Sequence, residues 1–183
     1  MGIEAKTRSV QTEDSFEIEI SHSYSLADKK ELAGGEEDPS RTREYKLHWR
    51  PTETHIFVCA GGKRLCHVGL VEHTVVIAGN SVGVAGIGGV LARRESRGRG
   101  YGRIAMRAAE DFVRREMSVN FILLFCRPLV DRWYEFLGWS KISNPVWIEQ
   151  PQGEVLLPLV SMAKCLGIDP WPEGDVHVGS RPW

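Results

Sequence analysis

The strongest constraint on the fold lies in residues 82–125. VGVAGIGGVLA (82–92) is apolar and rich in glycine, and it reads as a strand. RESRGRGYGR (94–103) follows, with three glycines among residues 98–102 and arginines between them. The period then changes. Ile104, Ala105, Ala108, Ala109, Phe112 and Val113 recur at three and four, with Glu110, Asp111, Arg114 and Arg115 opposite. That pattern predicts an amphipathic helix of about four turns. VNFILLF (119–125) returns to a buried strand. Strand, helix and strand in this span make a unit of βαβ size.

The flanking residues extend the sheet. HIFVCA (55–60), LCHVGLVEHTVVI (65–77) and 82–92 are separated by the turns AGGKR and AGNS, which predicts an antiparallel meander. Phe16, Ile18 and Ile20 alternate with polar residues and predict a short half-buried strand, after a loose first dozen residues. AGGEEDPSRTR (33–43) reads as a loop. A short helix is expected at about 129–137, ending at Gly138, and VWIE and EVLLPLV add two strands. The expectation is one domain over residues 1–183, with 161–183 as an irregular C-terminal tail and no internal repeat.

A chain of 183 residues with 42% hydrophobic content can bury a core. Its net charge of −1 argues against a general nucleic-acid surface, and the basic patch at 93–103 carries only Tyr101 as an aromatic. Cys59, Cys66, Cys126 and Cys165 form no CxxC pair, so a reduced cytoplasmic protein without a metal site is expected. The polar, mixed-charge residues 1–15 do not read as a signal peptide, and no apolar run reaches membrane-span length.

The glycine-arginine stretch points to an anion. A helix start leaves backbone N–H groups unpaired, and glycines let that backbone approach a ligand closely. Arg93, Arg94, Arg97, Arg99 and Arg103 lie near enough in sequence to reach phosphate oxygens. The same residues also suit a solvated basic loop. There is no GxxxxGK[ST] string, and Gly98-Arg99-Gly100 meets Arg103 where a dinucleotide fingerprint needs glycine.

Arg97-Gly98-Arg99-Gly100-Tyr101-Gly102 resembles the [QR]xxGx[GA] acetyl-coenzyme A signature of the GCN5-related N-acetyltransferases (GNAT). Trp133-Tyr134-Glu135-Phe136-Leu137-Gly138-Trp139 resembles that family's FYxxxGF segment. The resemblance implies an α/β fold of GNAT acyltransferase type, a mostly antiparallel mixed sheet splayed in the middle and flanked by helices. It implies acetyl-CoA as the cofactor, held by backbone around Arg97, Gly98, Arg99, Gly100, Tyr101, Gly102 and Arg103. Val90 and Leu91 would pair with the pantetheine arm, one of their amides would stabilise the oxyanion, and Tyr134 would protonate the departing thiolate. The structural alternative for Tyr134 is an aromatic packed on the sheet.

Several family members carry a glutamate on the strand before the cofactor loop. Here Gly88 stands near that place and the strand holds no carboxylate. Glu72, His73 and His67 are the candidate bases, and Cys126 would permit an acyl-cysteine route. The tail from Gly174-Asp175-Val176 to Pro182-Trp183 resembles that of the aminoglycoside 2'-N-acetyltransferases. That resemblance implies a terminal carboxylate on Trp183 near the amine, with Asp175 and Glu173 suiting a polycationic sugar; otherwise the tail only covers the sheet. The implied reaction is direct acetyl transfer to the primary amine of a small molecule, an aminoglycoside-like amine among the options. The alternatives are a protein or peptide N-acetyltransferase and a non-catalytic acyl-CoA sensor or structural protein. No nucleic-acid or membrane partner is expected, and the family resemblance allows a homodimer.

Overall fold

The computed structural model describes residues 16–183, so the segment read as loose over the first dozen lies outside them. The central meander is present. Strands β2 (Thr54–Ala60), β3 (Lys63–Ile77) and β4 (Asn80–Ala92) pair antiparallel in succession. Both tight turns need positive φ at their two central residues, Gly61 and Gly62 in one, Ala78 and Gly79 in the other. Helix α2 (Tyr101–Glu116) then crosses over to β5 (Phe121–Cys126), which lies parallel to β4. The helix begins directly after Gly100, a turn earlier than the apolar period shows.

Strand β1 (Glu17–Ser21) pairs with β2 at the sheet edge. Its apolar side was expected to be half-buried, yet Phe16, Ile18 and Ile20 are all exposed. The strand instead turns Glu19 toward Arg64, which donates to its carboxylate from Nε at 3.0 Å. Helix α1 (Leu26–Ala33) was not read from the sequence, because its residues show almost no apolar face. Its signal is the capping box, in which Ser25 Oγ accepts from the Asp28 N–H and the Asp28 carboxylate accepts from the Ser25 N–H.

After α3 (Asp131–Phe136) come β6 (Ser140–Lys141), β7 (Val146–Gln150) and β8 (Gly153–Leu156). The tail is not irregular throughout. Residues 161–165 belong to β9 (Val160–Cys165), which pairs antiparallel with the whole of β5. Val176–His177 forms β10, inserted between β3 and β7. The described strands make one ten-stranded mixed sheet with the central order β6-β9-β5-β4-β3-β10-β7-β8. No described helix is long and apolar enough to cross a membrane.

Each face of the sheet carries its own core. Ala105, Met106, Ala109 and Val113 of α2 pack on Val58, Val68, Ile87 and Leu124. On the opposite face Val71, Val84 and Leu123 meet Val176, Val178 and Trp183. Gly86 and Gly88 let that second layer close. A Cβ on Gly86 would come within 2.1 Å of the Trp183 indole, and one on Gly88 within 2.6 Å of its main-chain carbonyl carbon.

A partly buried ion pair ties α2 and the end of α3 to the sheet. Lys164 Nζ on β9 donates to both Glu110 carboxylate oxygens at 2.8 Å and to the Leu137 carbonyl at 2.8 Å. Lys164→Ala leaves the Glu110 carboxylate, only 7% exposed as a residue, without its cation. A loss of about 2 kcal/mol is expected, between the values for exposed and fully buried pairs. Denaturant unfolding measures it, and a change below about 0.5 kcal/mol would give this pair no more weight than a surface pair.

Candidate active site

Strands β4 and β5 pair only from Val84–Phe121 to Ile87–Leu124. Past them the two strands part, β4 running on to Ala92 beside β3 and β5 to Cys126 beside β9, and the gap between them opens a cleft. A β-bulge sharpens the parting. His67 pairs with Leu91 and Gly69 with Gly88, so Gly89 and Val90 together face Val68. Gly89 sits at φ 59°, in the left-handed region glycine adopts without strain. The extra residue resets the alternation, and Val90 and Ala92 join Ile87 on the α2 face.

Two cavities meet at this bulge. One, of about 450 Å³, is bounded by Val90, Arg97, Gly98, Gly100, Gly102 and Trp133. Tyr101 and Arg103 also line it, although the Tyr101 side chain is buried in the core. The other, of about 880 Å³, is lined by His67, Gly88, Val90, Leu91, Tyr134 and Trp183, among others. Val90 borders both. Of the nine residues expected to hold a cofactor, seven border the first cavity, Leu91 borders the second, and Arg99 borders neither.

The first cavity suits an anion. Gly98 and Gly100 have φ of 75° and 85°, and Gly100 caps α2 without a side-chain hydrogen bond. The first turn of α2 carries no acidic residue, and open space surrounds the Cβ position of Gly98. Not every arginine points there. Arg97 donates from Nε to the Ala92 carbonyl at 3.1 Å and from Nη2 to Glu36 at 3.2 Å. Arg93 donates to the Arg64 carbonyl and to Glu31. These two hold the strand end and the 31–36 segment together, which sequence spacing could not reveal. The Arg99 guanidinium lies 5.8 Å from the centre of the Tyr101 ring.

Tyr134 and its neighbour divide the two cavities between them. Trp133 packs against Gly102, where a Cβ would stand 3.2 Å from the indole. One position on, Tyr134 borders the larger cavity. It is 5% exposed, and burial pushes its phenol above the ordinary tyrosine range. The group therefore stays protonated at neutral pH and can act as a donor.

The expected bases fare differently. His67 is 1% exposed, and its Nδ1 lies 2.7 Å from the Gly89 carbonyl. A carbonyl only accepts, so Nδ1 carries the proton and Nε2 is the acceptor. The His55 Nδ1–H then donates to His67 Nε2 at 3.0 Å. With both nitrogens used, and burial pushing its pKa down to about 3, His67 is no base. His73 donates from Nε2 to the Val178 carbonyl at 2.7 Å, and its Nδ1 accepts from Arg50 at 3.3 Å. Glu72 is exposed and does not line the cavity. Burial pushes the Cys126 thiol up to about 12, so it lacks the thiolate a covalent route requires.

Trp183 does reach the cleft. Its main chain covers Gly88, and its ring packs 5.2 Å from Phe125 and 5.5 Å from His73. Asp175 and Glu173 do not line the larger cavity. The charged residues that do are Lys29, Lys30, Arg43, Arg50 and Arg127 against Glu36 and Glu37. Sequence reasoning missed His55 and Tyr24, whose ring stacks on His67 with centroids 4.2 Å apart. The strand register was the available signal, since it sets Phe57 opposite His67 and His55 two residues away on the same face.

Comparison with known proteins gives the family and the fold. The profile of the acetyltransferase (GNAT) family matches residues 20–139. The chain belongs to that family. A search of curated proteins finds no match. Among solved structures, a GNAT family N-acetyltransferase from Escherichia coli in complex with CoA superposes with a TM-score of 0.65 at 14% identity, covering 92% of each chain. A GNAT family acetyltransferase from Brucella melitensis in complex with acetyl-CoA gives 0.51 at 18% identity, over 87% of this chain and 94% of that one. The ribosomal-protein-S18-alanine N-acetyltransferase from Escherichia coli gives 0.51 at 16% identity, over 84% and 97%. These likenesses are of fold.

The state of His67 makes the fold sensitive to acid. Its folded pKa is about 3 against an ordinary value near 6.5, so the unfolded chain binds the extra proton first. Its contribution is complete above pH 6.5 and is lost as the pH falls toward 3. Lowering the pH from 7 to 5 removes about 2 kcal/mol through this group alone. Unfolding of wild type and His67→Asn at both pH values measures the difference, and equal losses in the two proteins would contradict the assignment.

Proposed function

We propose that the chain moves the acetyl group of acetyl-CoA to a primary amine of a small molecule held in the larger cavity. The observation that carries this reading is Val90. It borders both the glycine-lined cradle at the start of α2 and the cavity that contains Tyr134. When bound, acetyl-CoA supplies the acetyl group as an activated thioester.

The residues present fit that group. Main-chain N–H groups of Tyr101, Gly102 and Arg103, with the backbone of Gly98, Arg99 and Gly100, would hold the pyrophosphate at the uncapped helix start. Arg97 would border the cradle without donating into it, since its side chain is bound to Ala92 and Glu36 and its N–H to the Arg94 carbonyl. Val90 and Leu91, past the last β4–β5 pair, would offer backbone to the pantetheine arm, and the Val90 N–H would donate to the acetyl oxygen. As the C–S bond breaks, Tyr134 would give its proton to the departing sulfur, and the proton that the amine sheds on becoming the amide would return to the phenolate, whose burial favours the protonated form.

The lining of the larger cavity supports a neutral or anionic amine over a polycationic sugar. Five basic side chains line it against two acidic ones; Arg43 and Arg50 are paired with Glu37 and Glu53, and Lys29, Lys30 and Arg127 would disfavour a polycation. A second reading, acetylation of a protein N-terminus, has support in the exposed rim formed by Lys30, Glu37 and Arg43 and in the likeness to the ribosomal-protein-S18-alanine enzyme.

Thiol release from acetyl-CoA tests both readings against amino acids and other anionic amines, aminoglycosides, polyamines and short peptides. Turnover is expected on the anionic amines. Turnover on aminoglycosides with silence on anionic amines would overturn the charge argument, and turnover on peptides alone would select the second reading. Tyr134→Phe should lower kcat by about 100-fold with little change in coenzyme affinity. A wild-type kcat in that variant would remove Tyr134 from the chemistry.

A further inference from the structure

The His55–His67 pair is spent on neither catalysis nor the hydrophobic core, and its hydrogen bonds run to the bulge in β4. His55 lies on β2, His67 on β3 and Gly89 on β4, so the chain of bonds crosses three strands on one face of the sheet. Each ring is nearly sealed from water, His55 being 6% exposed and His67 1%. Tyr24 closes over them, with its ring 4.2 Å from His67 and 5.2 Å from His55. A buried polar chain of this kind is costly to assemble unless every bond is made. The direction of the bonds is determined by the Gly89 carbonyl, which only accepts.

We infer that His67 is a positioning residue for acetyl transfer, fixing the Gly89–Val90 peptide so that the Val90 N–H is aimed into the cleft. The argument is one of peptide geometry. The unit is planar and trans, so its C=O and N–H point in opposite directions. His67 Nδ1 holds the Gly89 oxygen at 2.7 Å from β3, on one side of β4, so the N–H of the same unit is directed the other way, toward the gap beside β5. Gly89, at φ 59°, is the residue that permits this rotation. Without a donor on the Gly89 oxygen the bulged peptide would be free to turn. His55 acts one step back, since its donation to His67 Nε2 selects the tautomer that serves Gly89.

The inference rests on the proposed role of the Val90 N–H, and the test separates the two. Isotope-edited infrared spectroscopy of acetyl-CoA carrying 13C at the acetyl carbonyl reads the bond directly and needs no acceptor. In the wild type the bound carbonyl stretch is expected below its value in solution. His67→Leu should move it back toward the solution value while CoA affinity by calorimetry changes by less than about threefold. His67→Asn, whose amide can donate from the place of Nδ1, should keep the bound value. With an acceptor from the amine panel, His67→Leu should lower kcat on the order of tenfold, less than outright loss of an oxyanion donor, and His67→Asn should recover most of it.

Absence of any shift in the wild type would overturn the Val90 reading, and this inference with it. A wild-type shift retained in full by His67→Leu would overturn the inference alone. So would an asparagine variant as impaired as the leucine one. If His67→Leu does not fold, His55→Leu decides. Loss of the tautomer lock should move the stretch part of the way to its solution value, and an unmoved stretch overturns the proposal.

Discussion

Backbone amides that lose a sheet partner must find another, and this demand organises the cleft. Past Ile87 and Leu124 the strands β4 and β5 no longer pair, although both continue. The bulge at Gly89 and Val90 then turns part of the β4 backbone out of the ladder. One exposed carbonyl is taken by the His67 ring. The rest of that edge borders the two cavities, where a ligand can pair with it as a further strand would. The glycine-rich turn at the start of α2 faces the same gap, because the helix must cross from β4 to β5.

The opposite wall depends on small residues. Gly86 and Gly88 bring Trp183 into direct contact with β4, and a side chain at either position would collide with it. The missing strand carboxylate thus has a steric reason, since the volume a glutamate would need is filled by Trp183. The histidines nearby follow the same economy. His73 anchors the 178 carbonyl and receives Arg50, while His67 serves the bulge. Each is engaged at both nitrogens, so these rings supply architecture rather than proton transfer.

Charge separates the cleft into regions of different use. Acidic groups on α1 and the segment after it are paired with arginines of the glycine loop, Glu31 with Arg93 and Glu36 with Arg97. The 31–36 segment is thereby attached beside the cradle. Further along, Arg127 donates to the Ser40 carbonyl at 2.7 Å and attaches the next few residues to the end of β5. Residues 24–52, unmatched by any motif read from the sequence, therefore build one side of the larger cavity.

Local pattern made the framework legible. Period-two strands with glycine turns identified the meander, and period-three-and-four spacing identified α2, because both signals are written in contiguous residues. The glycine turn and the aromatic run before Gly138 marked the cradle and Tyr134 for the same reason. The apolar side of β1, the short strand β10 and the partners of α1 were not legible, since burial there is decided by residues distant in the chain. The base candidates show the limit most plainly. His67, His73 and Glu72 look alike in sequence as polar residues on one strand. Only the register of β2, β3 and β4 determined that one ring meets the Gly89 carbonyl, another the tail, and that the carboxylate faces water. A residue's type sets what it can donate or accept, but its partner is chosen by the packing of strands far apart in the chain.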